Sequence, residues 1–183
     1  MRYILFTFYV NKDLKVSVKW KVSYIQGMHI VETSSGKKFQ VEVKLVEDVD
    51  FRSLKEERYF FDWSLERNQK VYKLCIIGSS DILGLASLMR IPTEWRVHIR
   101  LLTVSIENRG KEKVYNRITG NLIAHAAKIA VSDYGELACV SLRPKSQIAQ
   151  HYIAKYNMTP TGLTLSIEVP EILNLLKRYD HDS

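Results

Sequence analysis

NRGKEKVYNRITGNLIAHAAKIA, residues 108–130, opens as a basic loop holding one glycine and closes as an amphipathic helix. A β-branched, apolar run, residues 96–106 (RVHIRLLTVSI), leads into it as a strand. A strand feeding a basic, glycine-containing loop at the head of a helix is an anion site in outline. The first backbone N–H groups of the helix have no partner within it, and the helix dipole favours negative charge there. Arg109 and Lys111 add positive charge close by. Glu112, Lys113, Val114 and Tyr115 then follow where a phosphate cradle would carry more glycine. Where those residues go decides whether the fold keeps a site there.

The rest of the chain limits what such a site serves. At 183 residues it suits one domain with a real core, or one domain with a small extension. Hydrophobic content of 46% and charged content of 26% are those of a globular protein. A formal net charge of +7 attracts anions without choosing among a nucleotide cofactor, RNA and an acidic surface. Cys75 and Cys139 sit in separate apolar runs with no CxxC pairing, which predicts buried free thiols in a reducing compartment. The first ten residues, MRYILFTFYV, read as a strand, not as a leader. No apolar run approaches the ~20 residues that cross a bilayer, so the expectation is a cytoplasmic protein without a membrane partner.

The pattern along the chain predicts an α/β fold. Residues 2–10, 14–24 and 38–46 read as strands, and KVSVKWKV (residues 15–22) alternates with its lysines opposite Val16, Val18, Trp20 and Val22. Residues 1–37 are taken as a β-rich extension and 38–183 as the main domain. FRSLKEERYFFDWSLERN (residues 51–68) carries helical spacing, with Phe51, Leu54, Phe61 and Leu65 facing inward. Strands follow at 71–77, 82–91 and 96–106, then the helix that ends near Gly135, a strand at 136–142 and a helix at 146–156. A last strand, 162–169, and a helix opened by Pro170 complete the order. The expectation is a mixed, mostly antiparallel central sheet flanked by helices.

Several chemistries lack their residues. There is no GxSxG nucleophile turn and no GxxxxGK[ST] phosphate loop. The five histidines, His29, His98, His125, His151 and His181, show no metal-ligand spacing, so no resident metal is expected. His125, on the helix, reads as a surface residue.

Two stretches point to a family. TVSIENRGK (residues 103–111) resembles the strand end and loop of GCN5-related N-acetyltransferases, often V-x-P-x-x-R-G-K-G-x-G. HYIAKYNM (residues 151–158) resembles that family's F-Y-x-K-x-G-F, and the element order from about residue 39 to 179 is similar too. The resemblance implies acyl-CoA-dependent N-acyl transfer, with acetyl-CoA as co-substrate and an unidentified amine as acceptor. It puts Leu102, Thr103 and Val104 along the pantetheine arm and Asn108, Arg109, Gly110 and Lys111 at the pyrophosphate. It also makes Tyr152 the acid that protonates the departing thiolate. His98 is the candidate general base, with Glu94 and Glu107 behind it.

The loop departs from that pattern. Read without a gap, Glu112 and Val114 replace motif glycines. In a second register Gly120 takes the last glycine position, GNLIAHAA matches the helix start, and residues 112–117 (EKVYNR) become an insertion with Arg117 beside the helix N-terminus. That insertion would either cap the phosphates or fill their place. Arg143 and Lys145, flanking Pro144, are further candidates for phosphate or for an acidic substrate. Two alternatives stay open: a binding protein of the same fold without catalysis, and an RNA- or tRNA-associated protein. Homo-oligomerisation is left open as well.

Overall fold

The computed structural model describes residues 27–180 together with a short antiparallel pair, β1 (Phe8–Tyr9) and β2 (Lys15–Val16). Apart from that pair, the strands expected over residues 2–10 and 14–24 lie outside the described residues. Nine strands form the main sheet: β3 (His29–Glu32), β4 (Lys38–Leu45), β5 (Lys70–Ile76), β6 (Ile82–Ile91), β7 (Arg96–Val104), β8 (Tyr115–Asn116), β9 (Cys139–Leu142), β10 (Thr159–Thr161) and β11 (Thr164–Glu168). Their order is β10-β11-β9-β7-β6-β5-β4-β3-β8. Every ladder is antiparallel except β7 with β9, which is parallel. The mixed, mostly antiparallel sheet is therefore present, and β3, from within residues 1–37, is part of it.

Both faces of the sheet are covered, and β6 shows why. Its first seven residues, ILGLASL, are all buried, as a strand with packing on each face must be. On one face lie α2 (Ile118–Tyr134), α3 (Ala149–Tyr156) and α4 (Glu171–Asp180). Ile118, Leu122, Ile123, Ala126 and Ala130 of α2 join Val97, Ile99, Val140, Ile172 and Leu175 in the larger core. The opposite face is closed by residues 50–66, whose Leu54, Tyr59 and Trp63 pack on Val71, Cys75, Ile82 and Leu85.

Residues 51–68 are not the single helix their spacing predicts. They form a 3-10 turn (Asp50–Arg52), α1 (Glu56–Tyr59) and a second 3-10 turn (Trp63–Glu66). Phe60 ends α1 in a left-handed conformation, φ 65°, and the Asp62 side chain starts the next turn by accepting from the Ser64 N–H at 3.0 Å. These breaks let Tyr59 and Trp63 enter the core, where the Tyr59 hydroxyl donates to the Ile82 carbonyl at 2.9 Å. Leu65, expected inward, is 79% exposed. Both cysteines are free thiols, Cys75 buried and Cys139 half-buried. No described helix is long and apolar enough to cross a membrane.

Candidate active site

The β7–β9 ladder pairs Arg96 with Cys139 through Ile99 with Leu142, and stops there. β7 runs on to Val104 with β6 on its other edge alone. Register shifts opposite Ser87, which faces Leu101 while Leu88 faces Ile99, so Arg100 is the extra residue of a bulge. Beyond the bulge the Ser105 N–H donates to the Leu83 carbonyl on β6. In an antiparallel ladder alternate residues turn their N–H and C=O groups to opposite sides, so those of Leu102 and Val104 face the open edge. The Val104 carbonyl accepts from Thr103 Oγ1 at 3.1 Å, and the groups left without a strand partner need one from solvent or from a ligand.

Between the diverging strands lies a cleft of about 280 Å³. Residues 99–104 form one wall and residues 142–145 the other. Phe60 and Phe61 of the α1 segment, Arg109, Thr119 and Tyr152 complete it with Ile148. Thr119 belongs to the first turn of the 17-residue α2, which has no side-chain N-cap. The Arg109 guanidinium lies 4.0 Å from the Phe60 ring centroid, and Lys145 Nζ lies 6.0 Å from that of Phe61. Arg58 ties α1 to the loop after β7 by pairing with both Glu107 and Asp81.

The charge of the cleft is one-sided. Arg100, Arg109, Arg143 and Lys145 line it, and no carboxylate does among the described residues. Glu66, buried behind the wall, accepts from Arg100 Nε at 3.0 Å and Nη2 at 3.1 Å, with the Ser87 hydroxyl as a further donor. The guanidinium beside it, together with Ser87, holds the Glu66 carboxyl below its usual pKa despite burial. Burial pushes the Tyr152 hydroxyl up, so the phenol is protonated at neutral pH.

No family model matches the chain, and no curated protein matches it in sequence. The fold does have solved counterparts. Nourseothricin acetyltransferase superimposes with a TM-score of 0.53 at 11% identity, covering 71% of this chain and 99% of its own. The ribosomal-protein-S18-alanine N-acetyltransferase of Escherichia coli gives 0.53 at 10%, covering 71% and 94%. Arabidopsis thaliana Naa50, in complex with the bisubstrate analogue CoA-Ac-MVNAL, gives 0.50 at 16%, covering 70% and 98%. The chain has the fold of the GCN5-related N-acetyltransferases.

On this acetyltransferase fold, the cleft gathers Leu102, Thr103, Val104, Arg109, Arg143, Lys145 and Tyr152 of the residues the sequence singles out. Others lie outside its lining. Asn108 is buried in the loop, where its Nδ2 donates to Ser105 Oγ at 2.9 Å and its Oδ1 accepts from the Tyr115 N–H at 2.9 Å. Gly110 turns the chain at φ 77°, and Lys111 points to solvent. Residues 115–116 then join the sheet edge as β8, paired with β3, while the Val114 carbonyl accepts from the Thr33 N–H at 2.8 Å. The 112–117 insertion thus adds to the sheet, and none of it enters the cleft.

Helix α2 begins two residues before Gly120, and Gly120 is buried against α4. A Cβ there would stand 2.0 Å from Tyr179 Cζ, so the glycine makes room for the tyrosine. Arg117 turns the same way, 4.7 Å from the Tyr179 ring centroid, and donates to the Arg178 carbonyl. His98 lies on β7 with Nδ1 2.8 Å from Ser141 Oγ, and burial plus Arg96 and Arg100 lower its pKa. His125 is not the surface residue expected. It is half-buried, 4.6 Å from the Tyr72 ring centroid, and burial pushes its pKa down to about 4.

Sequence reasoning missed Phe60, Phe61, Arg100 and Thr119. Phe61 reads as helix packing, Phe60 carries no signal, and no local pattern marks Arg100, because the bulge that exposes it is a pairing event. Among the described residues no group of three or more His, Cys, Asp or Glu could hold a metal.

Proposed function

We propose that this chain is an N-acyltransferase that takes an acetyl group from acetyl-CoA and passes it directly to an amine. The observation that carries the reading is the free edge of β7, residues 100–104, opening beside the uncapped start of α2. A pantetheine arm is an extended chain of amides, and that edge offers it unpaired strand hydrogen bonds. The helix start, with Thr119 and Arg109, offers N–H donors and positive charge to a pyrophosphate. The chemistry that an acyl-CoA supplies is a thioester carbonyl and a thiol leaving group.

The residues present suit the remaining work. A backbone N–H of Leu102 or Val104 can donate to the thioester oxygen as negative charge gathers on it. The amine nitrogen attacks the carbonyl carbon, the C–S bond breaks, and the thiolate takes its proton from the Tyr152 hydroxyl. The amine's own proton leaves to solvent or to a base. His98, neutral at neutral pH through its lowered pKa, is the candidate for that base on this strand. Alignment of amine and thioester in one cleft supplies much of the rate.

Calorimetric titration with acetyl-CoA tests the binding half. No heat and no thermal shift at millimolar ligand would refute the proposal. Tyr152→Phe tests the chemical half: acetyl-CoA affinity stays within about threefold, while turnover on an amine panel falls about a hundredfold or more.

A further inference from the structure

We infer that the acceptor is a small anionic amine: a primary amine that also carries a carboxylate or a phosphate, recognised through Lys145 and Arg143 beside the Phe60–Phe61 pair. This rests on the acyl-transfer reading above and names the substrate class of the same site.

The cleft passes through the sheet, because β7 sends neighbouring residues to opposite cores. Leu102 and Val104 pack with α2 in the larger core, whereas Leu101 packs with Phe61 in the smaller one. Tyr152 and Thr119, from α3 and α2, mark the first end. At the second end stand Arg100, held by Glu66 of the second 3-10 turn, together with Phe61 and Lys145 above its ring. An acceptor that meets the thioester from this second end approaches through cations and aromatic rings.

Among the described residues no carboxylate there is left to receive an ammonium ion. Glu66 is occupied by Arg100 and Ser87, Asp62 by the Ser64 N–H and hydroxyl, and Glu107 by Arg58. Arg143 and Lys145 are exposed, and Arg143 makes no ion pair or hydrogen bond among the described residues. Arg143 and Lys145, cations with no carboxylate among the lining residues, sort acceptors by sign. They repel polyamines, favour the neutral form of the attacking amine, and attract an anionic substituent. Arginine adds a planar fork that fits a carboxylate or a phosphate. A cleft of about 280 Å³ that must also admit the thioester leaves room for a small reacting end.

Steady-state acetyl transfer by the purified chain tests this with matched amines. These are amino acids against their carboxamides, O-phosphoethanolamine against ethanolamine, and spermidine. The expected result is a kcat/KM about tenfold or more higher for the anionic member of a pair, with spermidine poor. The pair with the larger ratio identifies the anion. Lys145→Glu should raise the acceptor KM about tenfold and leave the acetyl-CoA KM within about threefold. Neutral amides or spermidine serving equally well would overturn the inference. So would an effect of Lys145→Glu on the acetyl-CoA KM alone, or turnover of no amine by a chain that binds acetyl-CoA. A chain that binds no acetyl-CoA defeats the acyl-transfer reading instead.

Discussion

Burial sets the charge state of the residues that matter most singly. Tyr152 has its hydroxyl pKa raised above the ordinary 10.0 by desolvation, so it keeps a proton to give through mildly alkaline solution. If it is the general acid, kcat measured from pH 7 to 10 shows no fall from loss of that proton. His125 works on stability. Its folded pKa of about 4 lies below the ordinary 6.5, so as pH falls the unfolded chain takes up this proton first. Its contribution is therefore complete above 6.5 and is lost as pH falls towards 4, about 2 kcal/mol of it by pH 5. Urea denaturation at pH 7.5 and pH 5 measures the loss, and His125→Phe should remove that share of it. His98 and His151 shift the same way, so the variant retains part of the slope. Glu66 acts at lower pH: its depressed pKa gives stability that is present above the ordinary 4.5 and fades as pH falls through the folded value.

Among elements, the contact between α2 and α4 turns on a missing side chain. Gly120→Ala drives a methyl into Tyr179, and overpacking of this kind costs about 1–3 kcal/mol. The double variant with Tyr179→Leu should recover part of that loss in chemical denaturation, which a purely conformational effect of the glycine would not allow. The α1 segment makes a second case. Trp63 is completely buried, so Trp63→Ala should cost about 3–5 kcal/mol and loosen the Phe60–Phe61 wall. A variant with unchanged stability would mean that the segment is not anchored through this ring. The 112–117 insertion finds its strand partners on β3, at the sheet edge, and none of it lines the cleft.

For the whole molecule, the splay of β7 from β9 leaves the β7 backbone donors, Arg109 and the start of α2 facing one cleft. A ligand that satisfies them binds the folded chain alone, and at a hundred times its Kd adds about 2.7 kcal/mol of stability. For a chain of 183 residues that corresponds to a rise in Tm of roughly 5–10 °C, readable by differential scanning fluorimetry with acetyl-CoA.

Periodicity made much of this legible beforehand. The bounds of β6, the start of β7 and the succession from β5 through β6, β7, α2, β9 and α3 to β11 and α4, without β8 and β10, follow from alternation and glycine punctuation, because those patterns are local. Tyr152, Arg109 and the run Leu102–Val104 were likewise visible, from motif likeness on a strand, a loop and a helix. The breaks in residues 50–66, the second role of Gly120, and the turning of Arg117 toward α4 were not, since each depends on a partner distant in sequence. Residues 108–130 by themselves determine a basic loop and an apolar helix behind it. Only the tertiary structure decided where the intervening residues go, because an unpaired edge on β3 could accept them, and that pairing is invisible to local pattern.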